Sequence, residues 1–296
     1  MTETEAEEAA AEEAEATQEA AATTAAEATS SGANDHLLRY TNLGKLLEAA
    51  RLGEVKFLDA KFLIAWHEAG RGKLLRRQEM EPLGAFLPAE ALTEEQAAAG
   101  KLELVALSYC WASREHPDPD VFHLRRVVAA AKAFFAGRKP SDEEALYKEG
   151  FTTLTNYGLE AAGYTFGASH PDTKLGIFWD YGSLPQKEFA DEEEKRLFKR
   201  GLQNINAIYG HQRVTKLVMP ELPPGASRRP YHESGWTRFE AEVANLTSPP
   251  HRLLRLDSEF AKDLFKRQEQ DPTCEMPADS WIKLVLAGGK LIQRTG

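Results

Sequence analysis

Apolar positions along the second half of the chain alternate between a spacing typical of strands and one typical of helices. Three short runs rich in apolar and aromatic residues predict strands. They are KLELVALSYCW (101–111), KLGIFWDYGSLPQ (174–186) and VTKLVMP (214–220). Each is followed by apolar residues at helical spacing, at 121–135, 191–210 and 235–246. Strands that alternate with amphipathic helices predict parallel strands joined by crossovers, hence an α/β sheet with helices on both faces.

The third of these helices, GWTRFEAEVANL, contains the residues of greatest chemical interest. Its apolar positions, Phe239, Val243 and Leu246, follow helical spacing, and we expect this stripe to face the sheet. Trp236 and Glu240 are one turn apart and would lie along one edge of the stripe, within reach of a cleft. Glu242 should point into solvent, and without further evidence Glu240 could equally be an ordinary surface acid.

The regions around this α/β unit differ in composition. Residues 1–35, almost entirely Ala, Glu and Thr, predict a disordered acidic tail. Residues 36–100 predict a helical N-terminal region, with FLDAKFLIAWHEAG as its clearest helix. The α/β domain itself covers 101–256, including an insertion at 136–172 that has no clean period and a fourth strand in HRLLRL. The remaining residues, 257–296, predict a helix from Ser258 and a further strand or helix.

The distribution of charge along the chain argues against two classes of partner, nucleic acids and anionic membranes. Residues 1–35 contain nine Glu and one Asp without Lys or Arg, which equals the net charge of −10 of the whole chain. The other 261 residues are therefore balanced, and no bulk field favours nucleic acid or an anionic membrane. Two cysteines cannot form a disulfide framework, and no apolar run is long enough to span a bilayer. We expect a cytoplasmic protein.

The polar and aromatic residues that could bind a ligand or catalyse a reaction occur at the ends of the predicted strands. Glycine-rich phosphate loops are absent, and the histidines and cysteines lack the spacing of a metal site, so we expect no metal. Three segments with polar and aromatic residues remain. They are LSYCW, FWDYGSLPQ and YHESGWTRFE. Because ligands bind beyond the carboxyl ends of parallel strands, these segments predict the position of the site.

Taken in this order, the three segments resemble the heterokaryon-incompatibility (HET) domain and the related Toll/interleukin receptor (TIR) domain. The third segment is similar to the TIR pattern Tyr-x-x-Ser-x-Trp-Cys-x-x-Glu, with Thr237 in place of the Cys. Ala112 departs from the HET pattern, which has Gly after the Trp of its first motif. Residues 71–87 also resemble a segment of uncharacterised algal and protist proteins that carry the same three motifs.

This resemblance implies a TIR/flavodoxin-like parallel sheet and a reaction. Catalytic members cleave the bond between nicotinamide and ribose in NAD, which is a substrate and not a cofactor, and Glu240 matches their catalytic glutamate. The resemblance further implies a set of substrate-binding residues, in which aromatic rings stack on the bases and polar groups contact ribose or phosphate. They are Ser108, Tyr109, Trp111, Asp180, Ser183, Tyr231 and Trp236. For Asp180, a structural role in its turn is an equal expectation.

Two other functions are compatible with the same residues. The chain could be a non-catalytic interaction module that forms homo-oligomers in signalling through residues 181–186 and the third helix. It could also bind a nucleoside or a nucleotide related to NAD for a different reaction. Loss of nicotinamide release in a Glu240 variant would distinguish the NAD-cleaving enzyme from these two alternatives.

Overall fold

A five-stranded sheet organises the part of the chain that the computed structural model describes, residues 40–136, 167–226, 228–248 and 252–255. The strands are β1 (Leu58–Asp59), β2 (Leu102–Tyr109), β3 (Lys174–Phe178), β4 (Val214–Met219) and β5 (Leu253–Arg255). Their order in the sheet is β1-β3-β2-β4-β5, with β2 to β5 parallel and β1 antiparallel to β3. The predictions for residues 1–35, for most of the insertion and for 257–296 lie outside the described residues.

Eight α-helices belong to the described part of the chain. They are α1 (Leu43–Arg51), α2 (Ala60–Glu68), α3 (Arg77–Met80), α4 (Glu94–Ala98), α5 (Phe122–Ala136), α6 (Asp180–Ser183), α7 (Glu192–Gly210) and α8 (Gly235–Thr247). The Asp191 carboxylate accepts the backbone N–H of Glu194 and so caps α7. None of these helices is long and apolar enough to cross a membrane.

The sheet is covered by helices on both faces, as the alternation of strands and helices predicts. One hydrophobic cluster joins α2 and α5 to the face of β2 that carries Val105, Leu107 and Tyr109. A second joins α1 and α7 to the opposite face, which carries Leu104 and Ala106. Helix α8 packs beside α7 on this second face. The α/β prediction is therefore confirmed.

The order of the parallel strands reverses at β2. Its successor in sequence, β3, lies on one side of it, and β4 lies on the other. Such a reversal leaves a crevice beyond the carboxyl ends of the two strands that flank it, here β2 and β4. Side chains at the end of β2 are therefore placed where α/β sheets most often bind ligands.

The N-terminal region contributes a strand as well as helices. The pattern in FLDAKFLIAWHEAG predicts a helix from its start, yet Leu58 and Asp59 form β1 at the edge of the sheet. The helix begins only at Ala60, because the Asp59 side chain accepts the N–H of Lys61 and caps it there. Helix α2 then packs against α5 and β3, so residues 58–68 belong to the same packed unit as the sheet.

Helix α8 corrects one prediction. Phe239, Val243 and Leu246 do not face the sheet: the first two are half-buried, and Leu246 is 83 % exposed. The buried side of α8 consists of Thr237, Glu240 and Ala244. The physical reason is that the two polar members of this set have hydrogen-bond partners inside the fold, in Ser108 and in the backbone of Tyr231. Glu242 is exposed, as expected, and pairs with Arg238.

Candidate functional site

Two polar clusters lie at the carboxyl end of β2, one on each face of the sheet. Successive strand residues point to opposite faces. Ser108 therefore faces α7 and α8, whereas Tyr109 packs in the cluster under α5. Each of these two residues contacts a different carboxyl group, Glu240 for Ser108 and Asp180 for Tyr109.

The first group, here named the Glu240 cluster, consists of Ser108, Tyr231 and Glu240. The Ser108 hydroxyl donates to Oε2 of Glu240 at 2.6 Å and lies 2.6 Å from the Tyr231 hydroxyl. Either hydroxyl can be the donor in the bond between Ser108 and Tyr231. All three residues are buried, and Glu240 is only 2 % exposed.

The environment of Glu240 favours its neutral form. The pKa of Glu240 is raised to about 8: burial is the largest cause, the hydrogen bond from Ser108 acts in the opposite direction, and the nearby Asp180 acts with burial. Among the described residues no basic side chain pairs with this carboxyl. The carboxyl is therefore held mainly in its neutral form at pH 7.

Tyr209 and Thr237 complete this cluster, although sequence reasoning did not assign either to the site. The Tyr209 hydroxyl donates to the Leu107 carbonyl at 2.6 Å and lies close enough to Glu240 to lower the pKa of that carboxyl. The Thr237 hydroxyl donates to the Tyr231 carbonyl at 2.5 Å and so fixes the turn before α8. Thr237 is thus a hydrogen-bond donor with a structural role.

The second group, the Asp180 cluster, consists of Tyr109, Trp111 and Asp180. The Tyr109 hydroxyl donates to Oδ1 at 2.7 Å, and the Trp111 indole N–H donates to Oδ2 at 3.0 Å. The Tyr181 backbone N–H also donates to Oδ1, at 2.7 Å. Burial raises the pKa of Asp180, while the bonds from Tyr109 and Trp111 act to lower it. Both carboxylate oxygens are engaged, which favours the structural role for Asp180.

Comparison with known proteins does not assign the chain to a family. No family model, no curated protein and no solved structure matches the chain.

The predicted site residues are only partly brought together. Ser183 is placed elsewhere: it is fully buried, and its hydroxyl accepts the backbone N–H of Trp179. Its role in the structure is to hold the turn after β3, and it has no free hydrogen-bonding surface for a phosphate. Trp236, by contrast, is brought to the Glu240 cluster: it is half-buried beside the cluster of α1 and α7, and its side chain lies close enough to Glu240 to lower the pKa of that carboxyl.

His123 is a further polar residue at this end of the sheet. It is fully buried at the start of α5, its ring centroid is 5.0 Å from that of Tyr109, and Nε2 lies 3.2 Å from the Cys110 carbonyl. Burial lowers the pKa of His123 to about 4, so the ring is neutral. Nδ1 has no hydrogen-bond partner in the described structure. A lone His at a helix start gives no sequence signal for this position.

Other features within the described residues do not extend the site. No group of three or more His, Cys, Asp or Glu side chains is arranged there to hold a metal ion. A surface hollow is lined by Asn42, Glu94 and Arg213, among others. Arg213 directly precedes β4, so this hollow lies at the amino end of the strands, opposite the Glu240 cluster.

Proposed function

We propose that this chain is a TIR/HET-like domain that hydrolyses the N-glycosidic bond between nicotinamide and ribose in NAD, with Glu240 as its catalytic carboxyl. The observation that supports this proposal most is the Glu240 cluster. Residues of two of the three motifs, Ser108 from the first, and Tyr231 and Glu240 from the third, meet at the carboxyl end of β2. This is the crevice at which the strand order reverses.

The chemistry suits a single carboxylate. When the bond between ribose C1′ and the pyridinium nitrogen breaks, the electron pair goes to nitrogen and nicotinamide departs neutral, so no acid is needed. Positive charge develops on the ribose, and an ionised Glu240 would stabilise it. Water then forms the new bond to C1′ and releases its proton to solvent. The raised pKa of Glu240 fits this use, because the cationic pyridinium of NAD would supply the counter-charge that the site lacks.

The Tyr231 hydroxyl lies 2.6 Å from the Ser108 hydroxyl that contacts Glu240. Ser108 is held in β2 and Glu240 in α8, whereas Tyr231 lies in the turn that precedes α8. The connection from β4 to α8, residues 220–234, contains four prolines. We therefore propose that NAD reaches the carboxyl when the Tyr231 side chain moves aside, so that a ribose hydroxyl takes the place of its hydroxyl on Ser108.

The test is release of nicotinamide from NAD by the purified full chain at high protein concentration. Glu240→Gln keeps the size of the side chain and its capacity to accept from Ser108, but it cannot ionise. We expect at least a hundredfold loss of turnover in this variant.

Glu242→Gln is the matched control, because Glu242 lies on the same helix, is exposed and contacts only Arg238 among the described residues. It should turn over NAD at the wild-type rate. Absence of nicotinamide release by the wild-type chain, or equal rates for the two variants and the wild type, would contradict the proposal.

A second function, the non-catalytic interaction module, is favoured by the closed state of the Glu240 cluster. A carboxyl that is neutral, hydrogen-bonded and 2 % exposed is also what a purely structural polar core provides. This function predicts oligomers whose mass in light scattering rises with protein concentration, without consumption of NAD. A monomer that leaves NAD intact would contradict both functions.

A further inference from the structure

Tyr209 is held in place beside the Glu240 cluster. It lies in the last turn of α7, is 1 % exposed, and packs edge-on against Phe178 with 6.1 Å between the ring centroids. Its hydroxyl donates to the Leu107 carbonyl at 2.6 Å. Leu107 directly precedes Ser108, whose hydroxyl donates to Glu240, and α7 packs against α8. The Tyr209 hydroxyl therefore lies within hydrogen-bonding reach of the Glu240 carboxyl.

The single hydrogen of the Tyr209 hydroxyl has two acceptors within reach. One is the Leu107 carbonyl, to which it donates in the structure, and the other is the Glu240 carboxyl. The phenol oxygen can also accept, so a neutral Glu240 can donate its own O–H to Tyr209. An ionised Glu240 has no hydrogen to donate and becomes the stronger of the two acceptors, because hydrogen bonds to a charged group are about twice as strong as neutral ones.

We propose that Tyr209 is a positioning residue for Glu240, whose hydroxyl accepts from the neutral carboxyl and turns from the Leu107 carbonyl to donate to the ionised carboxylate. The proton that leaves Glu240 goes to solvent, and no other bond breaks. The inference rests on the proposed function for its catalytic meaning, since it explains how a buried carboxyl ionises where no described basic side chain pairs with it. The proton equilibrium of Glu240 itself does not depend on NAD.

The other hydrogen-bonding groups beside Glu240 do not serve both of its states. Ser108 already donates to the carboxyl, and the indole N–H of Trp236 can donate but cannot accept. The Tyr231 hydroxyl lies at Ser108, 2.6 Å from its oxygen. Tyr209 is therefore the neighbour that can accept from the neutral carboxyl and donate to the ionised one.

The titratable groups that face Glu240 leave this hydrogen on Tyr209. They are Asp180 from α6, Tyr209 from α7 and, across Ser108, Tyr231 from the turn before α8. Burial, and then the nearby Glu240, raises the pKa of Tyr209 well above its ordinary value. The Tyr209 hydroxyl therefore stays a donor over the whole range in which Glu240 titrates.

A titration of Glu240 by carbon-13 NMR, in the full chain labelled at its glutamate carboxyl carbons, tests this inference without NAD. The Glu240 resonance is the one that is missing in Glu240→Gln. Tyr209→Phe keeps the ring and removes the hydroxyl. Because the ionised state loses the stronger bond, the pKa of Glu240 should rise by about one unit in this variant. Tyr40→Phe is the matched control, since the Tyr40 ring lies beside Gly210 of the same helix, and it should leave the titration unchanged.

Tyr209→3-fluorotyrosine is a second variant, which retains the hydroxyl and so the bond to Leu107. Its ring fluorine makes the hydroxyl a stronger donor, so the pKa of Glu240 should fall. Opposite shifts in the two variants support the inference. Equal titration midpoints for the wild type and Tyr209→Phe, or a midpoint for the fluorotyrosine variant at or above that of the wild type, overturn it.

The same measurements separate this inference from the proposed function. If the chain releases nicotinamide from NAD, the pH profile of kcat/KM should shift in each variant with the titration of Glu240. Opposite NMR shifts without any nicotinamide release would contradict the proposed function and would uphold the role of Tyr209. Nicotinamide release with unshifted titrations would do the reverse.

Discussion

The two carboxyl groups at the end of β2 differ in what holds them. Asp180 receives two side-chain donors and a backbone N–H, whereas Glu240 receives the Ser108 hydroxyl, lies close to Tyr209 and Trp236, and is shielded from water. Desolvation therefore dominates at Glu240 and raises its pKa to about 8. A sequence reveals a Glu four residues after a Trp, but not burial, and burial determines the chemistry of the carboxyl.

This pKa predicts how pH acts on stability. The folded-state pKa of Glu240 lies above the ordinary value of 4.5, so the contribution of this residue to the free energy of unfolding is complete below pH 4.5 and is lost as pH rises through about 8. Glu240→Gln lacks this titration. We expect the stability of the wild type relative to this variant to fall between pH 5 and pH 8.5, as measured by urea unfolding at both values. A difference that is independent of pH would show that Glu240 is not shifted upward.

Removal of the Asp180 carboxylate should lower stability by leaving buried hydrogen-bond donors without an acceptor. Asp180→Ala leaves the buried Tyr109 hydroxyl and the Trp111 indole N–H without their acceptor, which should lower the free energy of unfolding by about 2–4 kcal/mol. Asp120→Ala, at an exposed position, should change it by less than about 0.5 kcal/mol. Equal denaturation midpoints for the two variants would contradict the structural role of Asp180.

Helices and strands were predictable from the sequence to different degrees. The predictions of β2, α5 and α7 hold because their apolar residues pack on the sheet as periodicity assumes. The predicted phase of α8 is wrong, because the pattern directs Phe239, Val243 and Leu246 to the sheet with Glu240 only at the edge, whereas Thr237 and Glu240 have partners in the interior. Polar residues at a site break the same rule on which helix-face prediction depends.

Helix packing also predicts contrasting effects at two glycines. A Cβ at Gly201, inside α7, would lie 2.5 Å from the Leu184 side chain and 2.6 Å from the Glu54 carbonyl oxygen. Gly201→Ala should therefore lower the free energy of unfolding by about 1–3 kcal/mol, despite the better helix propensity of Ala. Gly235→Ala, at the start of α8 with open space around it, should raise it by up to about 1 kcal/mol. Thermal melts of both variants would detect a reversal of these signs.

At the scale of the whole molecule, the alternation of strands and helices predicts the α/β class. It does not predict the contacts between segments that are distant in sequence. Arg77 is one such case. Its guanidinium is buried and donates to the Gly53 carbonyl at 2.7 Å and to the Ser183 carbonyl at 3.3 Å. It thereby joins the N-terminal region to the turn after β3. The sequence around Arg77 does not reveal this role, because the neighbours of a buried arginine and of a solvated arginine in a polar segment can be the same.

Arg77→Leu tests this connection. The variant removes the side-chain donor of the Gly53 carbonyl, while the Ser183 carbonyl keeps the backbone N–H of Lys56, and it should lower the free energy of unfolding by about 1–3 kcal/mol. Arg76→Leu removes the adjacent arginine, whose partners Glu79 and Glu188 are on the surface, and should cost less than about 1 kcal/mol. Guanidinium unfolding of both variants gives the comparison, and similar midpoints would mean that Arg77 does not join the two regions.

The pH dependence of nicotinamide release from NAD tests the central claim most directly, that Glu240 acts as the catalytic carboxylate. The value of kcat/KM for the wild-type chain should rise about tenfold per pH unit below pH 8 and level off above it, because it reports the pKa of the free site. Glu240→Gln should release nicotinamide at least a hundredfold more slowly at every pH. Activity in that variant with an unchanged pH profile, or no release by the wild type up to pH 9.5, would contradict the claim.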